Sequence, residues 1–196
     1  MFLLKNDYWE IKETQAKGRG VYAKKNIPQG TIIGDYLGKV IKTEEYDLEK
    51  DKDGLYLMYL TDEASIYPHL SKPGIYLLNH SCRPNCWIYP HMGHTLFFAF
   101  KDIVAGDELT ISYLLNPLDG TCKPCSHECK CGNNLCTNTM HTEKKLYDRW
   151  QVFQDTQIKK SGKLHFTFGE DLPMLYKYPK IDINDPIYKI ITPERE

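Results

Sequence analysis

Short apolar stretches separated by glycine and proline dominate the first two-thirds of the chain, a pattern that predicts short strands joined by turns. Residues 18–20 (Gly-Arg-Gly) predict a turn that leads into a strand at residues 21–23. Residues 31–41 are rich in β-branched side chains but interrupted by glycines, which favours a strand with bulges or sharp bends. Thr43 is expected to cap a short helix, because two acidic residues follow it in the first turn.

Three further stretches have the character of strands. Residues 55–61 are expected to alternate as a strand, and residues 95–100 form a nearly continuous apolar run. Residues 108–113 follow a glycine-containing turn and are again strand-like. Many short strands with regular turns predict a mainly β domain.

The last third of the chain has a different pattern. Leu146, Trp150 and Phe153 recur at helical spacing within residues 142–158, which predicts an amphipathic helix. Residues 161–196 contain four prolines and scattered aromatic side chains, so we expect this tail to lie over the surface of the domain.

Composition narrows the class of protein. The chain has 196 residues, 41% hydrophobic content and a formal net charge of -1, which suits a globular domain and gives no indication of direct nucleic-acid binding. No apolar run reaches membrane-spanning length, and the first ten residues are too short and too acidic for a secretory signal. We therefore expect an intracellular protein, in the cytoplasm or nucleus, with no membrane association.

Cysteine usage points to a metal. Five of the seven cysteines lie within fifteen residues, and in a reducing compartment such crowding favours metal binding over disulfides. The segment from Cys129 to Cys136 has the spacing C-x-C-x4-C, which can present three thiolates to one Zn²⁺. The fourth ligand stays open on spacing alone: Cys122, Cys125 and His127 are local candidates, which the pattern favours, and Cys82 is a distant one.

Four separated motifs resemble those of the SET-domain protein lysine methyltransferases. They are K-G-R-G-V at residues 17–21, Y-L-G at 36–38, N-H-S-C-R-P-N at 79–85 and E-L-T-I-S-Y at 108–113. The cysteine cluster resembles the family's post-SET motif, so the likeness covers about residues 15–137. The sequence contains no counterpart of the cysteine-rich pre-SET segment, since no cysteine precedes Cys82.

The resemblance implies a fold and a division of the chain. The fold is the β-clip of the SET domain, built of short curved sheets with a knotted active-site strand and, here, a C-terminal helix. The division is a SET domain at residues 1–116, a post-SET zinc segment at 117–140 and a helix with an extended tail at 141–196. The implied zinc ligands are Cys82, Cys129, Cys131 and Cys136. Cys122, Cys125 and His127 remain a competing local set.

The resemblance also implies the chemistry. The cofactor would be S-adenosyl-L-methionine, and the substrate a lysine-bearing protein such as a histone tail. Tyr113 would be the central catalytic tyrosine, and Tyr36 would line the lysine channel. The implied cofactor-binding residues are Lys17, Gly18, Arg19, Tyr56, Asn79, His80 and Lys130. The backbone of His80 would contact the adenine edge, while Lys130 is equally well explained as a solvated loop lysine.

Several positions depart from the family's usual pattern. Ile111 stands where many members have Phe or Tyr, a position that influences how many methyl groups are added; some members supply that ring from a position equivalent to Trp87, Ile88 or Tyr89. Tyr76 replaces a frequent Arg, and Met58 a frequent aromatic residue. Two alternatives to an active enzyme therefore stand: a SET fold that binds a lysine-bearing partner without turnover, and a zinc-stabilised structural β domain.

Overall fold

Apolar and β-branched stretches between glycines and prolines form short strands in a computed structural model of the chain. The structure describes residues 7–14, 18–46, 56–120, 122–161 and 165–192. Within these residues the regular elements are β1 (Trp9–Thr14), β2 (Gly18–Ala23), β3 (Ile32–Asp35), β4 (Lys39–Lys42), β5 (Met58–Tyr59), β6 (Ala64–Tyr67), β7 (Asn79–His80), β8 (Cys86–His91), β9 (His94–Ala99), β10 (Glu108–Ile111), α1 (Lys144–Ser161) and α2 (Ile187–Ile191). Single 3-10 turns occur at Thr43–Glu45 and Ile75–Leu77. The expectation of a mainly β protein with a C-terminal helix is confirmed.

One sheet brings together motifs that are far apart in the sequence. Its strand order is β1-β2-β10-β7. Strand β10 pairs antiparallel with β2 and parallel with β7, where Thr110 lies opposite Asn79 and Ile111 opposite His80. The Ser81 amide extends this pairing by donating to the Ile111 carbonyl (2.9 Å). Three of the four sequence motifs thus become neighbours in one sheet.

Two smaller sheets complete the body of the protein. Their strand orders are β3-β9-β8 and β4-β6-β5. The predicted interruption of residues 31–41 is confirmed: the register of β3 shifts between Ile32 and Gly34, and a bend separates β3 from β4. Val40, Ile66, Leu96, Phe98 and Leu109 are fully buried between the sheets and form part of one continuous core.

Three local expectations were wrong or only partly right. Residues 18–20 are not a turn; they begin strand β2, which pairs along its whole length with β1. Thr43 does not cap its helix but is the first residue of the 3-10 turn, and its hydroxyl lies 2.9 Å from the Ser65 hydroxyl. The strand expected at residues 55–61 is limited to Met58–Tyr59, and Leu55 lies outside the described residues.

The C-terminal part is more deeply integrated than a surface tail. Helix α1 buries Trp150 and Phe153, with Trp150 packed edge-on against Trp87 of β8. Beyond it, Leu172, Ile181 and residues of α2 are buried in the core. The Leu172 and Ile181 amides donate to the carbonyls of Gly38 and Gly30, each within 2.9 Å.

Candidate active site and metal centre

A large cavity of about 1260 Å³ opens beside the sheet formed by β2, β10 and β7. Strand β5 and the turn before β7 form one wall, and helix α1 contributes Trp150, Gln151 and Gln154 to another. Six of the predicted site residues line this cavity: Gly18, Arg19, Tyr36, Tyr56, Asn79 and Tyr113. Its walls are therefore assembled from both ends of the described chain.

Asn79 is held by two acceptors at the start of β7. Its side-chain Nδ2 donates to the Glu108 carboxylate (2.9 Å) and to the Arg19 carbonyl (3.2 Å). Both amide protons are thereby engaged, which fixes the plane of the amide and leaves Oδ1 as the acceptor of the side chain. The clamp joins three motifs: the first glycine-rich stretch, the N-H-S-C strand and the E-L-T strand.

Close packing around this clamp leaves little room for a side chain at Gly20. A Cβ at position 20 would lie 2.9 Å from Asn79 Nδ2, 2.9 Å from Thr14 Cγ2 and 3.0 Å from the Glu108 carboxylate. Such contacts are well below ordinary van der Waals separation. Gly18, by contrast, has a φ of +70° and open space in front of it, so the backbone here is accessible to a bound molecule.

Aromatic side chains form the apolar part of the cavity. Tyr36 is buried, and its hydroxyl donates to the Tyr56 carbonyl. Tyr56 in turn packs edge-on against Tyr76, with ring centroids 5.1 Å apart. Burial raises the pKa of Tyr36 well above its ordinary value, with smaller effects from the neighbouring tyrosines. Burial therefore favours the neutral form of the Tyr36 phenol.

Tyr113 lies at the end of the E-L-T strand with its hydroxyl directed at the backbone of the N-H-S-C segment. The hydroxyl donates to the Leu78 carbonyl (3.2 Å). The side chain is 40% exposed because it borders the open cavity, yet protein surrounds it on the remaining sides, and this burial raises the pKa of Tyr113 to about 12. Since the proton is donated to Leu78, the phenol oxygen presents lone pairs, and thus acceptor capacity, to its surroundings.

His80 connects the tyrosine to the cysteine cluster. Its Nδ1 accepts a hydrogen bond from the Tyr113 amide (3.3 Å), so the proton of the neutral ring is placed on Nε2. Nε2 lies 3.7 Å from the Cys82 sulfur, to which it can donate. The ring also packs edge-on against Tyr113 at 5.3 Å. The side chain of His80 thus links the backbone at Tyr113 with the Cys82 sulfur.

Isoleucines, not aromatic residues, face the cavity at the positions where the family often has a ring that influences how many methyl groups are added. Ile111 and Ile88 both line the cavity, whereas Trp87 faces α1 and Tyr89 contacts Phe98 and Phe153. Within the described residues, the part of the wall formed by β8 and β10 is consequently aliphatic at both positions.

Four cysteine sulfurs converge beside this site. The ligand atoms of Cys82, Cys129, Cys131 and Cys136 all lie within 4.8 Å of one another. Cys82 Sγ is 3.5 Å from Cys129 Sγ and 3.8 Å from Cys136 Sγ. A tetrahedral zinc site with Zn–S bonds of about 2.3 Å requires S–S separations of about 3.8 Å, so the four residues fit one Zn²⁺.

The competing local ligands belong to a different place. Cys122, Cys125 and His127 gather around His141 in a second group, separate from the four cysteines. This arrangement favours Cys82 as the fourth member of the first group. His141 was not among the sequence candidates, because it lies 14 residues beyond His127 and its pairing depends on the course of the backbone between them.

Two predicted cofactor-binding residues remain, Lys17 and Lys130. Lys17 lies outside the described residues. Lys130 is 67% exposed, pairs with Glu128 at 3.7 Å and does not line the cavity, which agrees with a solvated loop lysine. The contribution of α1 to the cavity was missed, because helical spacing identifies a buried face without showing what that face borders.

Comparison with known proteins places these features in a family. The protein family described as "SET domain" matches residues 18–114, which include Gly18, Tyr36, Asn79 and Tyr113. Residues 18–114 are a SET domain. Most of the cavity wall therefore belongs to the SET domain, and α1 and the segment before it complete the wall from residues beyond the match.

Several proteins of known name are similar to this chain in sequence. A variant-silencing SET domain-containing protein of Plasmodium falciparum is 33% identical over 69% of this chain, and the H3 lysine-36 specific histone-lysine N-methyltransferase of Schizosaccharomyces pombe is 33% identical over 63%. The mouse histone-lysine N-methyltransferase NSD3 is 30% identical over 86%. The chain spans only 6%, 16% and 12% of these proteins, respectively.

A solved structure confirms the fold. The crystal structure of KRYPTONITE in complex with mCHH DNA, H3(1-15) peptide and SAH is similar to this chain with a TM-score of 0.55 and 23% identity. The likeness covers 68% of this chain and 29% of that one. Among the described helices of the SET-domain chain, none combines the length and the apolar character needed to cross a bilayer.

Proposed function

We propose that this SET-domain chain is a protein-lysine N-methyltransferase that uses S-adenosyl-L-methionine, with histone tails as the favoured substrate class and the nucleus as its site of action. The observation that carries the proposal is the convergence of Tyr36, Asn79 and Tyr113 on one cavity. The names of the relatives support it, since two of those described above are histone-lysine N-methyltransferases.

The proposed cofactor site is the part of the cavity near β2 and β7. The cofactor supplies an electrophilic methyl group on a sulfonium, and the residues present can hold its polar end. Asn79 offers an oriented amide oxygen, and the open backbone at Gly18 and Arg19 permits close approach. Tyr56 borders the same space with its half-buried ring.

The proposed lysine channel is lined by Tyr36, Tyr113 and the two isoleucines. Its apolar walls would lower the pKa of an entering ammonium by desolvation, which favours the neutral amine needed for attack. Aromatic faces can still contact the cationic form before it loses its proton. The ammonium proton would pass to water before attack, and the cofactor would then supply its methyl group to the neutral lysine nitrogen and leave as the thioether S-adenosylhomocysteine.

Tyr113 would orient the amine as a hydrogen-bond acceptor. Its own proton is committed to the Leu78 carbonyl, and that of Tyr36 to the Tyr56 carbonyl, so both phenol oxygens can only accept. An amine whose N–H bonds point at these oxygens turns its lone pair toward the donor methyl. Such alignment is the main device available to an enzyme that transfers a group without covalent chemistry of its own.

The proposed zinc ligands are Cys82, Cys129, Cys131 and Cys136. A metal held there would join the post-SET segment to the N-H-S-C strand, and four protein ligands make it structural rather than catalytic. Because His80 spans the space between Cys82 and Tyr113, metal binding would also hold the catalytic tyrosine in place.

The test is transfer of labelled methyl groups to core histones and to a cell extract. We expect transfer to a histone lysine by the wild-type chain, and a fall of about 100-fold in Tyr113→Phe, as expected for a lost orienting contact. Tyr176→Phe is the matched control, because that side chain is 91% exposed and lies away from the cavity. No transfer to any protein by a chain that binds S-adenosylhomocysteine would refute the enzyme and favour a binding module.

A further inference from the structure

A second group of potential metal ligands lies outside the site described above. One side-chain atom from each of Cys122, Cys125, His127 and His141 lies within 4.8 Å of the other three. Two cysteines and two histidines form the donor set of many structural zinc sites. None of the four residues contributes to the first cysteine group.

The distances between the donor atoms match a single tetrahedral ion. Zn–S bonds of about 2.3 Å and Zn–N bonds of about 2.0–2.1 Å place a sulfur and a nitrogen about 3.5 Å apart across a tetrahedral edge. The Cys122 sulfur lies 3.4 Å from His127 Nδ1, and the Cys125 sulfur lies 3.5 Å from His141 Nε2. The distance from the Cys125 sulfur to His127 Nδ1 is 3.8 Å.

The two imidazoles are oriented for ligation. The other ring nitrogen of His141, Nδ1, lies 2.6 Å from the Asn116 carbonyl, to which it donates. This bond fixes the tautomer in which Nε2 carries the free lone pair, the usual outer-shell arrangement of a metal-binding histidine. The rings of His127 and His141 are nearly perpendicular, with centroids 5.0 Å apart, so both can reach one point without stacking.

Backbone hydrogen bonds hold the segments that carry the ligands side by side. The Met140 amide donates to the His127 carbonyl (2.9 Å), which places His141 beside the turn that carries Cys122 and Cys125. The Thr142 amide donates to the Leu115 carbonyl (3.0 Å), and Leu115 forms an isolated β-bridge with His141. These bonds restrict the backbone around the ligands and so reduce the chain entropy that binding an ion would cost.

We propose that Cys122, Cys125, His127 and His141 bind a second structural Zn²⁺. All four ligands come from the protein, so the site is closed and has no position for a reacting water. The ion would join the segment after β10, which carries Cys122 and Cys125, to His141, which lies shortly before α1. Asn116, His127 and Met140 line the cavity, and so does α1, so the ion would stabilise the part of the cavity wall that these residues form.

The experiment is elemental analysis of the full chain purified under reducing conditions with Zn²⁺ supplied. We expect two zinc ions per chain in the wild type and one in His141→Ala. His165→Ala is the matched control, since His165 is exposed and absent from both groups, and it should retain two. Cys129→Ser should also lose one ion, and combining it with His141→Ala should remove both.

A second measurement guards against variants that fail to fold. His141→Cys preserves a donor at the same position and should retain two ions, with a circular dichroism spectrum like that of the wild type. With Co²⁺ in place of Zn²⁺, His141→Ala should lose the component of the visible spectrum due to mixed sulfur–nitrogen ligation and keep the all-sulfur component. One zinc per wild-type chain, or two in His141→Ala, would overturn the proposal. Neither result depends on methyl transfer, so the proposed function is tested separately.

Discussion

The clamp on Asn79 makes a quantitative prediction about cofactor binding. Glu108 does not line the cavity, but its carboxylate accepts a hydrogen bond of 2.9 Å from Asn79 Nδ2. Glu108→Ala would remove this acceptor and free the amide to rotate away from the orientation that presents Oδ1. We therefore expect weaker binding of S-adenosylhomocysteine, although Glu108 itself need not touch it.

The expected size follows from the character of the bond. A hydrogen bond to a charged group contributes about 1.5–3 kcal/mol, and the lower figure applies here because the pair is only partly buried. Since about 1.4 kcal/mol corresponds to a tenfold change in Kd, full loss of orientation would weaken binding about tenfold. The remaining bond to the Arg19 carbonyl (3.2 Å) keeps part of that orientation, so we expect a loss of about three- to tenfold.

A double-mutant cycle measured by calorimetry tests the coupling. Asn79→Ala should weaken binding more than Glu108→Ala, because it removes the cofactor contact as well as the clamp. Adding Glu108→Ala to Asn79→Ala should cause no further loss. Glu10→Ala is the control, since Glu10 is an acidic residue of the same sheet that pairs with Lys12 and does not line the cavity. Binding within about 1.5-fold of wild type in Glu108→Ala, or losses that multiply in the double variant, would refute the reasoning.

Three other predictions concern metal, stability and pH. Cys82→Ser should lose one zinc ion by elemental analysis and methyl transfer in the same preparation; full zinc content would show that Cys82 is not a ligand. Asn85→Asp keeps the acceptor for the Thr110 amide but loses the donor to the Glu108 carbonyl (2.8 Å), which should lower the unfolding free energy by about 1–2 kcal/mol in urea; an unchanged midpoint would contradict it. Burial raises the pKa of both Tyr36 and Tyr113 from 10, so the folded state retains protons that the unfolded state releases, and stability should decline as pH rises above about 10. Thermal melts of Tyr36→Phe should show a shallower decline; an identical slope would rule out this cause.

The motif residues could be predicted from the sequence because each motif is short and chemically distinctive. Asn79, Tyr36 and Tyr113 line one cavity as the resemblance implied, and the four cysteines converge. The catalytic, cofactor and metal roles of these residues stay predictions. The first glycine-rich stretch shows the limit of local rules: Gly20 is present because Asn79 and Glu108 pack against its backbone, and composition alone suggested a turn.

Long-range contacts account for what local patterns did not predict. His141 joins the group of Cys122, Cys125 and His127, and backbone bonds around Leu115 and Met140 hold it there. The buried side chains of the tail are too far apart in the sequence to show a helix or strand period. The sequence therefore did not indicate that the tail contributes to the core. Leu172 and Ile181, for example, are separated by a proline-containing stretch without helix or strand.

The pairing of the tail with the early loops has a consequence for synthesis on the ribosome. The Leu172 amide, which donates to the Gly38 carbonyl, is synthesised roughly 130 residues after it. At about 5–20 residues per second, this interval is on the order of 10 s of translation. During that interval the core face around Val40 lacks its final cover. A nascent chain stalled before the tail should therefore be captured by chaperones that recognise exposed apolar segments, and release of the tail should end that capture.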